Sequence, residues 1–302
     1  MSARAIALAT ACATACAAIA PIAPEARADA PLWNPGWSRV GVAEASVVIG
    51  LGAAVNVFDL VAHAPETPSW TGGGVLFDAG ARDALRAPGA SGRERAATIS
   101  DVLVTTLVLA PFADAGANVA LAHHDTDAAL QLALIDAEAF SVASALVIPM
   151  KFLIRRQRPS AYELQCDSPS SRDPASQDCT RASRNESFPS GHSAMSFTAA
   201  TLICTEHLKL PLYGGAWDAI ACATAIAAAT TTASLRIVAD RHFATDVLAG
   251  AAIGILSGWL VPALHMRGGT SAPASRGAVA MPMLMLTGDG AGAMFSLGGA
   301  LL

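Results

Sequence analysis

The sequence predicts an all-α fold, a helical bundle of about six apolar helices, with a short β-hairpin possible at the C-terminus. Three observations lead there. Apolar residues make up 53% of the 302, with only 14% charged and 5% aromatic, a composition of packed helices rather than a β-sandwich. The apolar residues gather in long stretches without strand-like alternation. Polar connectors containing Gly and Pro separate those stretches. The net charge of −5 and the lack of any long basic run exclude a nucleic-acid footprint.

The elements follow in order. Residues 1–28 carry Arg4, then an uncharged small-residue and apolar run, then Ala26-Arg27-Ala28. That pattern reads as an export signal cut after Ala28. A Trp- and Pro-containing segment, 29–40, leads to a first apolar stretch at 42–62, interrupted by Asn56 and Asp59. The second, 100–122, contains Asp101 and Asp114; the third, 128–154, contains Asp136 and Glu138. Between these two, His123, His124, Asp125 and Asp127 read as a connector rather than a metal site. A Ser-, Asp- and Arg-rich connector spans 155–188. The fourth and fifth stretches, 193–208 and 216–235, flank a tight turn with Pro211 and Gly214-Gly215. The sixth, 246–265, is uncharged from Val247 to Leu264, a reach of roughly 27 Å at helical rise and enough to cross a bilayer. In the tail, "TGDGAG" between apolar runs suggests the hairpin. The expected division is 1–28 signal peptide, 29–97 N-terminal helix and connector, 98–266 helical core, and 267–302 tail.

The hydropathy favours a membrane protein, and buried acids in such helices are costly and usually functional. A soluble helical domain is the other arrangement. Six crossings after a cleaved signal place the 155–188 loop inside, whereas its cysteines and the export signal argue for outside. Cys166 and Cys179 lie in that polar loop. In an oxidising compartment they can close a ring worth roughly 3 kcal/mol. Cys204 and Cys222 lie in apolar stretches, where a free thiol packs as a small hydrophobe.

Three clusters carry chemistry, each at an apolar-helix end. "KFLIRRQRP" supplies Lys151 and Arg158; "PSGH" supplies Ser190, Gly191 and His192; "RIVADRHFATD" supplies Arg236, His242 and Asp246. Alternating helix ends allow all three to meet on one face. Phosphoryl transfer needs its charge neutralised and its nucleophile placed. Lys151, Arg158 and Arg236 suit the non-bridging oxygens. Amides around Ser190 and Gly191, with the Ser190 hydroxyl, suit the remaining oxygen at a helix start. His242 and Asp246 stand four apart, so a carboxylate can fix the ring's tautomer and leave its other nitrogen to attack. His192 is left as general acid, then as base for water. Arg155, Arg156 and Arg241 read as rim charges.

In this order, Lys-x6-Arg-Pro, Pro-Ser-Gly-His and Arg-x5-His-x3-Asp resemble the type 2 phosphatidic acid phosphatase and vanadium haloperoxidase superfamily, over roughly residues 140–265. The resemblance implies a phosphatase acting through a phosphohistidine without metal or cofactor, on a lipid phosphate or pyrophosphate if membrane-bound and on small phosphomonoesters if soluble. The site would face the periplasm or exterior. A vanadium haloperoxidase, a lipid phosphotransferase and a non-catalytic lipid-phosphate binder are the alternatives. One departure stands out: the family's serine before the last arginine is Leu235 here, with Ser234 one position further back.

Overall fold

The computed structural model describes residues 31–64, 66–71 and 73–267. The signal at 1–28 and the hairpin at "TGDGAG" lie outside the described residues. Those described are helical, without a named strand; Trp70 and Arg156 form an isolated bridge. The helices are α1 (Val42–Val61), α2 (Asp78–Leu85), α3 (Ala90–Ala113), α4 (Thr126–Ile154), α5 (Pro159–Glu163), α6 (Gln177–Thr180), α7 (Gly191–Lys209), α8 (Ala216–Val238) and α9 (Ala244–His265). A π-helical stretch, Asp114–Ala122, continues α3, and a 3₁₀ turn, Ala182–Asn185, precedes the "PSGH" stretch.

All six expected apolar helices form. The second begins at Ala90 rather than near residue 100. Its first turns, "ASGRERAATIS", are rich in good helix formers, and their polarity made them resemble a connector. Asp125 caps α4 by accepting from the Ala128 amide, and accepts from the Leu32 amide as well. Asp127 pairs with Arg39 through two hydrogen bonds. The "HHDTD" stretch is thus a connector whose two aspartates hold helix α4 and the preceding segment. Residues 31–40 tuck Trp33, Trp37 and Val40 into a core with Val119, Leu132, Ile135, Leu212 and Met266.

Helix α7 forms the centre and packs closely on α8 and α9. The α7–α9 contact depends on a glycine stripe. A Cβ on Gly250 would lie 2.3 Å from the Ser190 carbonyl oxygen, one on Gly254 2.3 Å from that of Ala194, and one on Gly258 2.7 Å from that of Thr198. Only glycine lets the two backbones approach this closely. The same approach fixes the starts of both helices, with the Ser190 amide donating to the Asp246 carbonyl at 3.0 Å. Gly254→Ala is therefore expected to destabilise the bundle by roughly 1–3 kcal/mol, read as a lowered melting temperature; an unchanged one would show that the helices part without cost.

Cys166 and Cys179 are disulfide-bonded, as their loop suggested. Cys204 and Cys222 depart from the expectation of free thiols: they too are bonded. The antiparallel descent of α7 and α8 brings their Cα atoms to 4.4 Å, inside the range a disulfide bridges. Their separation in sequence concealed that pairing.

Five helical segments are long and apolar enough to cross a membrane: Val42–Val61, Ala90–Ala122, Thr126–Ile154, Ala216–Val238 and Ala244–His265. Helix α1 exposes Val42, Val47, Leu51, Val57, Leu60 and Val61. So large an apolar face is what a protein presents to lipid, and the chain is accordingly read as a membrane protein.

Candidate active site

The six long helices alternate in direction. This gathers the end of α4 and the starts of α7 and α9 with the end of α8, and the first half of α3 lies beside them. His242 stands in the link between α8 and α9, almost fully buried. Its Nδ1–H donates to the Ser187 carbonyl at 2.7 Å. A carbonyl can only accept, so Nδ1 carries the proton and Nε2 keeps a lone pair. Arg158 Nη1 lies 3.5 Å from that Nε2.

The expected role of Asp246 needs correction. Its Oδ2 is 3.8 Å from His242 Nδ1, too far for a hydrogen bond. Asp246 instead accepts from the Ser187 hydroxyl at 2.6 Å, the Phe243 amide at 2.8 Å and Arg156 at 2.5 Å. It positions the Ser187 residue whose carbonyl orients the imidazole. The i,i+4 spacing brought the pair close, but the "ESFPSGH" loop supplies the nearer acceptor.

Arg156 is not a rim charge. It is fully buried, donating to Asp78 Oδ2 and Thr245 Oγ1, each at 2.8 Å, as well as to Asp246. Its guanidinium lies 4.3 Å from the centre of the Trp70 ring and 4.2 Å from that of Phe243. Burial alone would raise the Asp78 pKa, but hydrogen bonds from Arg156, Thr245 and Val75 outweigh it and hold this carboxyl below its ordinary range. Arg241 is also buried, paired to Glu94 at 2.9 Å and Asp178 at 3.3 Å. Arg155 closes α4 in a left-handed conformation, φ 45°.

Arg158 donates to the backbone carbonyls of Ser183 at 2.7 Å and Arg241 at 3.0 Å. Burial, then the charges of Arg236 and Arg241, push its guanidinium below its ordinary value. A cluster of buried cations that repel one another in this way is prepared for an anion. Lys151 completes it: the Gly191 Cβ position lies 3.5 Å from its Nζ. Glu186 is the buried acid among them; burial raises its pKa while Lys151 and Arg158 pull it down.

Ser190 has a different role from the one expected. Its hydroxyl accepts from the Ser193 amide and the Ser193 hydroxyl, capping α7, and its amide is taken by Asp246. The first-turn amides of Gly191 and His192 remain the donors a helix start offers. Leu235 packs with Ala96, Ala97 and Ala239. The hydroxyl on Arg236 comes instead from Ser100 Oγ, at 2.8 Å.

Sequence reasoning missed Asp101, reading it only as an interruption of an apolar stretch. Its Oδ1 is 2.7 Å from His192 Nε2 and accepts from Arg236 Nη1 at 3.1 Å. It joins two of the three clusters, and no motif spacing reaches back to it. Ser187 was missed as well, although it stands two residues before the Pro-Ser-Gly-His motif.

Burial, then the charges of Arg158, Arg236 and His192, push the His242 pKa well below its ordinary value, against the raising effect of the Ser187 carbonyl. The unfolded chain therefore binds this proton at a higher pH than the folded one. Stability from this group is undiminished above the unfolded value of about 6.5 and falls as pH drops below it. Melting temperatures measured from pH 7 to pH 5 should fall, and less steeply in His242→Gln; equal slopes would remove His242 as a source.

Residues 132–269 match the family model of the PAP2 superfamily. The chain is 45% identical over 75 residues to a protein named lipid A 1-phosphatase from Porphyromonas gingivalis. That stretch covers 24% of this chain and 15% of the relative. No solved structure matches the chain significantly.

Proposed function

Since residues 132–269 match the PAP2 superfamily model, we propose that the chain is a metal-independent phosphatase that hydrolyses a lipid phosphate or pyrophosphate through a phosphohistidine on His242. One observation carries this reading: a buried imidazole, fixed through Nδ1 by the Ser187 carbonyl, keeps its Nε2 beside Arg158.

The step balances on residues in place. The His242 Nε2 lone pair forms the bond to phosphorus as the bond from phosphorus to the leaving oxygen breaks. His192 gives that oxygen its proton. Lys151, Arg158, Arg236 and the first amides of α7 hold the non-bridging oxygens. Water then attacks phosphorus and returns a proton to His192, the P–N bond breaks, and inorganic phosphate leaves. Asp101 accepts from His192 and stabilises its protonated form.

The apolar helices support a lipid-anchored substrate. A relative over 75 residues is named a lipid A 1-phosphatase, so lipid A belongs in the substrate panel. The disulfide-bearing loop stands at the catalytic face, which favours a site outside the cytoplasm. With six alternating helices, residues 31–41 then lie on the cytoplasmic side, an orientation that counts against cleavage of the leader after Ala28.

The test is phosphate release from lipid phosphates, lipid pyrophosphates and soluble esters, with and without chelator. Release from lipid substrates, unmoved by chelator and inhibited by vanadate, is expected. Release only with added divalent metal, or bromide oxidation switched on by vanadate, would overturn the reading. Asp101→Asn should lower kcat about 10- to 100-fold and move the basic limb of the pH profile to lower pH, because His192 loses the charge that holds its proton. Its melting temperature should hold, since the Asp101 side chain is largely exposed.

A further inference from the structure

We propose that Glu44, Glu138 and His265 form a binding site for one divalent cation, with zinc the best match, at the end of the bundle away from His242. The inference does not rest on the phosphatase reading. The sequence expectation was of no metal, and these residues are too far apart in the chain for any spacing to suggest one. His265 is the last residue of α9, Glu44 lies in the first turn of α1, and Glu138 lies within α4. Asp246, at the other end of α9, is roughly 29 Å away at helical rise.

The geometry fits a small ion. His265 Nε2 is 3.3 Å from Glu138 Oε2 and 3.8 Å from Glu44 Oε1. The three ligand atoms all lie within 4.8 Å of one another. Ligands at about 2.0–2.1 Å from a tetrahedral zinc stand roughly 3.3–3.5 Å apart. One pair already meets that spacing, and Glu44, which is half-exposed, can swing its carboxylate inward. Imidazole and carboxylate are both donor types that zinc accepts, and water can complete the shell.

A second observation points to a ligand. Glu138 is 3% exposed, yet its Oε1 has no hydrogen-bond partner. An unpaired carboxylate oxygen buried beside an apolar core is costly, and a cation bound through both oxygens would satisfy it. The charges do not balance locally. Even a protonated His265 leaves two carboxylates facing one positive ring. The neighbouring cations are committed elsewhere: Arg39 pairs with Asp127 and Lys209 donates to the Met266 carbonyl. All three ligands stand on helices of the bundle, and the His265 carbonyl is held by the Ser38 amide at 2.9 Å. Helix α1 packs chiefly on α4. An ion shared by α1, α4 and α9 would pin this outlying helix.

The test uses the full chain purified in detergent, stripped with chelator and then given Zn²⁺. About one Zn²⁺ per chain by elemental analysis is expected, with a melting temperature several degrees higher. His265→Gln should lose the ion. Glu44→Gln, whose side chain is half-exposed and so tolerant of change, should weaken binding at least about tenfold and lose the thermal shift, with phosphate release unchanged. No stoichiometric Zn²⁺, or Zn²⁺ held equally by the Glu44→Gln chain, overturns the site. Neither result bears on phosphate release by the wild type, which tests the proposed function separately.

Discussion

His242→Ala is expected to abolish phosphate release, with a fall of about 10³-fold or more in kcat, the scale on which removing a nucleophile acts. The loss should not come from unfolding. The side chain is buried but uncharged, and its removal leaves one Ser187 carbonyl without a partner, a cost of roughly 1–3 kcal/mol. A melting curve separates the two causes. Trapping gives the sharper readout. Quenched wild-type protein should carry an acid-labile phosphate on histidine, and the His242→Ala protein none. With an activated ester, whose leaving group needs no proton, His192→Ala should still form the phosphoenzyme and then accumulate it, because water lacks its base. Full turnover in His242→Ala would end the mechanism.

The largest effect on stability is expected at Arg156. Arg156→Ala should cost about 3–5 kcal/mol or prevent folding, because it strands two buried carboxylates, Asp78 and Asp246, without their shared cation. It also empties the space between the Trp70 and Phe243 rings. Arg156→Lys keeps the charge but loses the planar fork and the stacking, and should recover only part of the stability. Asp78→Asn should be milder, since Asp246 still pairs with the guanidinium. Activity should fall in step with stability in all three, as Asp246 positions Ser187 and Ser187 orients His242. A melting temperature within a degree or two of wild type in Arg156→Ala would show that the buried network carries little.

The helices were legible because their signal is local. Length, apolar runs, and punctuation by Pro and Gly suffice to place α1, α4, α7, α8 and α9 within a few residues. The start of α3 was obscured because its first turns are polar. The glycine stripe of α9 was in plain sight at Gly250, Gly254 and Gly258, but spacing alone does not say which helix the glycines admit. The motif residues are near one another in space because each sits at a helix end. Their detailed partners were not legible. A spacing of four made Asp246 a neighbour of His242, yet the acceptor on Nδ1 is a main-chain carbonyl, and the sequence does not announce which carbonyl points where. Asp101 and Ser100 come from a different helix altogether.

By itself the sequence determined an all-helical fold class, with cations and two histidines collected at helix ends, since residue type and period are properties of neighbours along the backbone. Only the tertiary structure decided that Arg156 is an internal strut, that Ser190 caps a helix, that Ser187 rather than Asp246 holds the imidazole, and that Cys204 meets Cys222. Burial and hydrogen-bond partnership are set by which surfaces meet when helices pack, and the close backbone approach along the α9 glycines fixes that meeting at the site.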